Sequence, residues 1–176
     1  TPIIGIGGGY QMLGRSILDE GAEPGSNVEY RGLGFLDLVT VLSGKEEMPV
    51  RIERRAVGPG PILSRMGDVA GYEICTGEIR IGTLSEAFDG DGATTPDGLI
   101  FGTSMHGLFQ NPGAINALIS YLSEQRGVLF EPVETTDGDT HYDDLARHFE
   151  EHVDIDAILT LFEDTPLDGV IPHKSP

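Results

Sequence analysis

The 176-residue chain has one cysteine, no tryptophan and only two lysines. The single cysteine, Cys75, excludes an intrachain disulfide framework and any cysteine-rich zinc or iron–sulfur site. No apolar run reaches the length of a transmembrane helix, and no charged segment followed by an apolar stretch marks a signal peptide. These absences favour a protein of the reducing cytoplasm.

Negative charge dominates the composition. Eleven Lys and Arg residues stand against 29 Asp and Glu residues, which gives a net charge of −18 at pH 7. Nucleic-acid binding depends on neutralising phosphates with Lys and Arg, so no nucleic-acid partner is expected. Attachment to an anionic membrane surface is disfavoured for the same reason. A chain this acidic is better tolerated where salt screens its self-repulsion, which favours a halophilic host.

Strand-like and helix-like patterns alternate along the chain, which is typical of an α/β fold. Because a parallel sheet rarely begins at its functional strand, we expect earlier strands in a segment that precedes Thr1. We predict one partial domain over residues 1–163, with a C-terminal helix over 142–162, and a tail over 164–176. The predicted strands are 2–6, 34–42, 50–56, 70–74, 78–84 and 99–103. The other predicted helices are 10–18 and 112–126, the second with an apolar stripe of Ile115, Leu118, Ile119 and Leu122.

The glycine-rich turn after the first strand resembles nucleotide-binding loops only in part. GIGGGYQ fails the dinucleotide fingerprint because Tyr10 stands where the third glycine is required. GYQMLGRS imitates a phosphate-binding loop, but Arg15 replaces its lysine and the residues follow a helical pattern. Phosphate binding is therefore disfavoured here.

Two further patterns imitate metal sites. His148 and His152 enclose an H-x-x-E-H sequence that would place both imidazoles on one helix face. Such pairs occur by chance on polar helices, so a solvated face is the favoured interpretation. Asp89 and Asp91 begin like a calcium loop, but later ligand positions carry apolar side chains, and the segment is interpreted as a turn. No metal ligands are predicted.

His106 is the histidine best placed for chemistry. It follows a short apolar strand, and Gly107 behind it allows close backbone approach. Open α/β sheets place their sites at the carboxyl ends of strands. The strand, turn and helix at residues 3–18 would form the other half of such a site, with Gly7 at the apex of the turn.

Four segments resemble, in order, the motifs of class I glutamine amidotransferases, with the C-terminal amidotransferase domain of the cobyric acid synthase family as the best match. They are GIGGGYQMLG (5–14), GLGFL (32–36), GYEICTG (71–77) and GTSMHGLFQN (102–111). The closing segment DDLARHFEEHVDIDAIL is also similar. The resemblance implies a flavodoxin-like α/β fold with a mostly parallel sheet and flanking helices, lacking its N-terminal strands.

The resemblance also implies roles for individual residues. In that family a cysteine at the turn attacks the glutamine amide, and Gly7 occupies its position. His106 matches the general base, Gly8 would offer a backbone N–H to the oxyanion, and Gln11 would contact glutamine. Leu108 stands where many class I enzymes carry an acid, and the cobyric acid synthase branch is similar in relying on a Cys–His pair.

Two departures from the family pattern bear on activity. Gly7 removes the nucleophile, and glycine also tolerates the strained turn best. Cys75 stands where the family typically has histidine, and it is either a small buried residue or a relocated nucleophile. If Gly7 is native, the domain has lost glutaminase activity; if it was introduced, the parent enzyme is active. The sequence leaves both alternatives open.

The family hydrolyses glutamine and passes ammonia to a synthetase domain. That domain uses ATP and Mg²⁺ to amidate side-chain carboxylates of adenosylcobyrinic acid a,c-diamide. No cofactor is expected in this chain, since no ATP motif is present. The implied partners are glutamine, the synthetase domain and, through that domain, the corrinoid. The alternative is a non-catalytic module that docks on a synthetase and stabilises it.

Overall fold

A computed structural model describes residues 1–23, 26–42, 48–74, 77–132 and 139–154. The chain divides into two units, Thr1–Glu134 and Thr135–Pro176. Cys75 lies outside the described residues, as do the last residues of the predicted closing helix and the whole predicted tail. In the described part of the chain, no helix combines the length and the apolar character needed to cross a bilayer.

Short strands and few helices make up the first unit. The strands are Ile3–Ile6 (β1), Ser16–Glu23 (β2), Ser26–Arg31 (β3), Leu38–Leu42 (β4), Val50–Arg55 (β5), Asp68–Glu73 (β6), Gly77–Ile81 (β7), Ala93–Thr94 (β8), Ile100–Thr103 (β9) and Met105–His106 (β10). The helices are Gly8–Leu13 (α1), Leu63–Met66 (α2) and Pro112–Arg126 (α3), with a 3₁₀ turn at Leu108–Gln110. The second unit contains Asp139–His152 (α4).

The strands form three sheets, in the orders β1-β9-β8, β10-β6-β5 and β3-β2-β4-β7. Parallel pairing joins β1 to β9 and β2 to β4. The other described pairs are antiparallel. The α/β fold class is confirmed, although parallel pairing is the minor kind among the described strands. One of the two parallel pairs joins β1 to β9, the strands that lead to Gly7 and His106.

Two apolar clusters support these sheets. One lies around α2, α3 and β9, and its larger members are Ile62, Leu63, Met66, Phe88, Phe101, Met105, Leu108 and Tyr121. The other joins α1 to β4 and β8 through Tyr10, Leu13, Leu36, Leu38 and Ala93. Both clusters contain residues next to the turn at Gly7 or next to His106, so burial of apolar surface fixes the two chain segments there.

The predicted helix over 10–18 is wrong in its second half. Helix α1 ends at Leu13 because Gly14 turns extended, with φ −68° and ψ −177°, and packs its backbone against Leu38. Ser16–Glu23 then forms β2, which pairs with β4 on one side and β3 on the other. Tertiary strand pairing thus overrides the local helical spacing.

Helix α3 has the predicted bounds, but it buries a different face. Asn111 and Pro112 start it, and Gly127 ends it in the left-handed region at φ 65°. The buried positions are Ala114, Ala117 and Tyr121 rather than the stripe of larger aliphatic residues. The small alanines allow α3 to approach α2 closely, which leaves the longer side chains at the margin of the contact.

Helix α4 is polar over most of its surface. It begins at Asp139, three residues before the predicted start, and its described side chains are exposed. The rings of His148 and His152 lie 4.3 Å apart at a tilt of 34°. His152 Nδ1 also lies 2.9 Å from the carbonyl oxygen of His148. Local helix geometry therefore accounts for the approach of the two rings.

Candidate functional site

Gly7 forms a sharp turn between β1 and α1. Its φ of 55° and ψ of −120° lie in a region that side chains rarely adopt. The Gly7 N–H donates to the Thr103 carbonyl at 2.9 Å, and the Gly7 carbonyl accepts from the N–H groups of Tyr10 and Gln11 at 3.0 and 3.2 Å. These bonds hold the strand-to-helix corner in the form that presents a side chain from its apex.

Position 7 faces the imidazole of His106. A Cβ built on Gly7 would lie 2.7 Å from both Cε1 and Nε2 of His106, and 3.7 Å from Cδ2. The parallel pairing of Ile6 with Thr103 brings the two chain segments together. Any side chain at position 7 would therefore meet the Nε2 edge of the ring. The structure brings together the two positions that the sequence resemblance implies as nucleophile and base.

The backbone of His106 is held by close neighbours. His106 pairs with Tyr72 across the antiparallel β6–β10 contact, and Gly71 lies so close to the His106 carbonyl that a side chain there would overlap it. The rings of Tyr72 and His106 are stacked, with centroids 5.3 Å apart and planes 13° apart. Gly107 then turns the chain at φ 83°. Leu108, at the position of the missing acid, is fully buried in the core.

Asp91 braces the segment that leads to His106. Its carboxylate accepts a hydrogen bond from the Thr103 hydroxyl and accepts from the Ser104 N–H at 3.2 Å. The Thr103 oxygen in turn accepts from the Met105 N–H at 3.0 Å. Sequence reasoning interpreted Asp91 only as part of a turn. Its spacing from Ser104 gave no signal, because the contact depends on how β8 and β9 pair.

Asn111 provides a second brace, which sequence reasoning also missed. Its side-chain oxygen accepts from the Ala70 N–H at 2.8 Å, and its amide donates to the Ala70 carbonyl at 2.8 Å. The same amide donates to the carbonyls of Gly107 and Leu108 at 3.2 and 3.0 Å. Asn111 thus ties β6 to the turn that follows His106. The presence of asparagine in front of a helix is a signal for a cap, not for this cross-link.

Tyr10 lies beneath the turn. Burial raises the pKa of its phenol, and the negative charge of Asp91 adds to the rise, so the hydroxyl stays neutral. Its ring packs against Gly102, where a Cβ would overlap it. Glycine at 102 therefore allows α1 to sit directly on β9.

A cavity of about 290 Å³ opens between the turn and the histidine. Its described lining consists of Gly7, Gly8, Gln11, Ile74, Gly77, Ile79, Ser104 and His106. All four residues that the resemblance assigns to the site are in this set. Gly8 is in the first turn of α1, where backbone N–H groups have no partner within a helix and can serve an anion.

The remaining hypotheses about this site concern Cys75 and metals. Ile74 and Gly77 line the cavity, but Cys75 itself lies outside the described residues, so its role stays open. Among the residues that the structure describes, no three His, Cys, Asp or Glu side chains are grouped to hold a metal ion.

The site combines a strand, a sharp turn with positive φ, a helix start and an imidazole that faces the turn. This arrangement is consistent with a class I glutamine amidotransferase domain. The model of the CobB/CobQ-like glutamine amidotransferase domain matches residues 1–114, and the chain belongs to this family.

Curated relatives are described as probable cobyric acid synthases. The protein of Methanoculleus marisnigri is 62% identical over 168 residues, which covers 93% of this chain and 34% of the relative. That of Methanosphaerula palustris is 48% identical, covering 93% of this chain and 33% of the relative. That of Methanoregula boonei is 49% identical, and the match covers 92% of this chain and 33% of the relative. The chain thus spans about a third of the length of these relatives.

Proposed function

We propose that the chain is the amidotransferase domain of a cobyric acid synthase, and that glycine at position 7 leaves it unable to hydrolyse glutamine. In the whole enzyme such a domain supplies ammonia for ATP-dependent amidation of side-chain carboxylates on adenosylcobyrinic acid a,c-diamide. The observation that carries the proposal is the direction of position 7, whose Cβ would lie 2.7 Å from Nε2 of His106. A cysteine side chain there would place its sulfur within reach of a base.

The chemistry that this geometry supports is acyl transfer through a thioester. The thiolate of a cysteine at position 7 would attack the amide carbon of glutamine, and the carbonyl oxygen would take up the negative charge. His106 would carry the thiol proton to the leaving nitrogen, so that ammonia departs. Water, deprotonated by His106, would then release glutamate. With Gly7 no sulfur is present, and the first bond cannot form.

Two further lining residues fit roles in binding. Gly8 lines the cavity as the first residue of α1, where a backbone N–H has no intrahelical partner and would be available to a substrate oxygen. Gln11 lines the same cavity and lies about one helical turn further along α1. We assign the Gly8 N–H to binding of the oxyanion and the Gln11 side chain to contact with the bound glutamine. Neither assignment depends on the missing nucleophile, so glutamine binding should persist.

ATP and Mg²⁺ are assigned to the synthetase part of the longer protein. This chain has no phosphate-binding motif, and no step of the amide hydrolysis above requires either of them. The net charge of −18 supports a salt-rich cytoplasm as the working environment.

A non-catalytic docking module is the second candidate function. Met12, Leu33 and Phe35 are exposed by 55%, 60% and 46%, although they are large and apolar. The loop that carries Leu33 and Phe35 is held to the end of α1 by bonds from the Leu33 N–H to Met12 and from the Leu36 N–H to Leu13. A fixed apolar surface of this kind favours contact with another protein segment.

Ammonia release separates the two candidates. The matching segment of a longer relative is replaced by this chain, and hydrolysis of L-glutamine is measured with Gly7, with Gly7→Cys, and with Gly7→Cys combined with His106→Ala. We expect activity only with Gly7→Cys, and a loss of roughly 10²- to 10⁴-fold when His106 is removed. Equal activity with Gly7 would contradict the proposal. Inactivity of every form, with amidation still supported by added ammonium, would favour the docking module.

A further inference from the structure

His106 can act on position 7 only if its ring keeps one orientation. The torsion that rotates an imidazole about its bond to Cβ is broad and roughly two-fold, so the backbone alone does not fix it. In the structure the Cε1 and Nε2 atoms lie closest to position 7, while Cδ2 is 1.0 Å further away, at 3.7 Å against 2.7 Å. A contact with the face of the ring would restrict this torsion and keep the tip of the ring, with Nε2 and Cε1, at position 7.

Tyr72 makes such a contact. Its ring lies nearly parallel to the imidazole, at 13° and with centroids 5.3 Å apart, which is the geometry of an offset stack. The contact has a local cause, since Tyr72 and His106 are direct cross-strand partners and their side chains share one face. Stacking on the ring face leaves the Nε2 edge free to meet position 7.

Tyr72 contacts His106 without being part of the hydrophobic core. Its side chain is 41% exposed and lies outside both buried clusters. It also lines a second groove, of about 420 Å³, together with Arg51, Ala70, Gly71 and Gln110. Tyr72 therefore lines the second groove with one part of its surface and contacts His106 with a ring face. Its removal costs little burial, so the fold should survive it.

We propose that Tyr72 is a positioning residue that holds the imidazole of His106 with Nε2 towards position 7. Because this inference rests on the proposed role of His106, its test needs one readout that is independent of glutamine hydrolysis. The stacking contact with His106 is made by the ring face of Tyr72 and does not require the phenol hydroxyl. Phenylalanine should therefore replace tyrosine, and leucine should not.

The first readout is the NMR signal of the His106 Cε1 proton in the chain itself, assigned with His106→Gln. In Tyr72→Leu the nuclear Overhauser contact of this proton with the Hα protons of Gly7 should be lost, because Cε1 no longer stays 2.7 Å from the Cβ position of residue 7, and in Tyr72→Phe the contact should persist. Tyr30→Leu is the control, because Tyr30 is also an exposed tyrosine, at 53% against 41% for Tyr72, but lies on β3. In Tyr30→Leu this contact of the His106 Cε1 proton should be unchanged. An unchanged contact in Tyr72→Leu would overturn the inference.

The second readout is glutaminase kinetics in the longer relative whose matching segment is replaced by this chain with Gly7→Cys. Tyr72→Leu should lower kcat by about 10- to 100-fold with little change in KM, as expected for a misplaced base, and Tyr72→Phe should restore it. A kcat that stays unchanged in Tyr72→Leu would contradict the positioning role. If Gly7→Cys itself is inactive, the proposed function fails, and the NMR signal still decides the role of Tyr72.

Discussion

Replacing Gly7 by cysteine should make the protein less stable and its new thiol reactive. A side chain at φ 55° and ψ −120° costs about 1–3 kcal/mol, because residues with a Cβ rarely adopt this backbone conformation. The new Cβ would start 2.7 Å from two ring atoms of His106, so the ring must withdraw by roughly 1 Å to reach ordinary contact. A total of about 2 kcal/mol corresponds to a fall in Tm of about 4–8 °C for a chain of this size.

Gly9→Cys is the matched control for this substitution. Position 9 is exposed in α1, has nothing within 4 Å of a Cβ, and has no positive φ. Its thiol is therefore free of strain and free of the imidazole. Both variants are made with Cys75→Ala, so that each chain carries one thiol. Thermal unfolding followed by circular dichroism should show a lower Tm for Gly7→Cys than for Gly9→Cys.

The rate of alkylation by iodoacetamide measures the state of each thiol. A thiol next to a protonated imidazole should have a pKa lowered from about 8.5 into the range of about 3.5–7.5, since the positive charge favours the thiolate. At pH 6 the Gly7→Cys thiol should therefore react at least about tenfold faster than the control. Its rate should fall only as the pH drops below the lowered pKa. Equal rates and equal pH profiles in the two variants would refute the facing geometry.

Three further changes test the packing and the electrostatics around the site. Gly102→Ala should cost about 1–3 kcal/mol in urea unfolding, because a Cβ at this position would lie 2.7 Å from Cγ of Tyr10; an unchanged midpoint would contradict this. Tyr10→Phe should be neutral or stabilising by up to about 1 kcal/mol, since among the described residues the buried hydroxyl has no hydrogen-bond partner; a clear loss would show a missing partner. Hydrogen bonds from the Thr95 hydroxyl and, to a smaller extent, from the Leu99 N–H lower the pKa of Asp97. Thr95→Val should therefore raise that pKa towards its usual value in an NMR titration. The stability that ionised Asp97 adds is present above its unfolded pKa and is lost as the pH falls through its folded pKa, so Thr95→Val should lower the stability above the unfolded pKa and flatten its dependence on pH below that value.

The elements with strong local signals could be predicted from the sequence. Helix α3 was predicted with the correct bounds because Pro112 and Gly127 mark its ends by backbone chemistry. Strand β2 was missed because Leu13 and Ile17 have helical spacing, while the extended Gly14 and the pairing with β4 are decided elsewhere in the chain. The buried face of α3 was also missed, since small alanines give no apolar signal.

The two halves of the site could be located in the sequence, but not their contact. Gly7 follows an apolar strand and His106 follows another, and a parallel sheet places both at one edge. The direction of position 7 towards Nε2 depends on the backbone angles of a single glycine. The braces from Asp91 and Asn111 depend on long-range contacts with Ser104 and Ala70, which no local pattern indicates.

Labelling with an electrophilic glutamine analogue tests the central claim most directly, because only a nucleophile beside the bound amide can react. The analogue is added to the chain with Gly7 and to the chain with Gly7→Cys, and mass spectrometry locates the label. We expect one label, at position 7 of the variant, that excess L-glutamine prevents, and no label on the chain with Gly7. A glutamine-protected label on Cys75 in the chain with Gly7 would contradict the account.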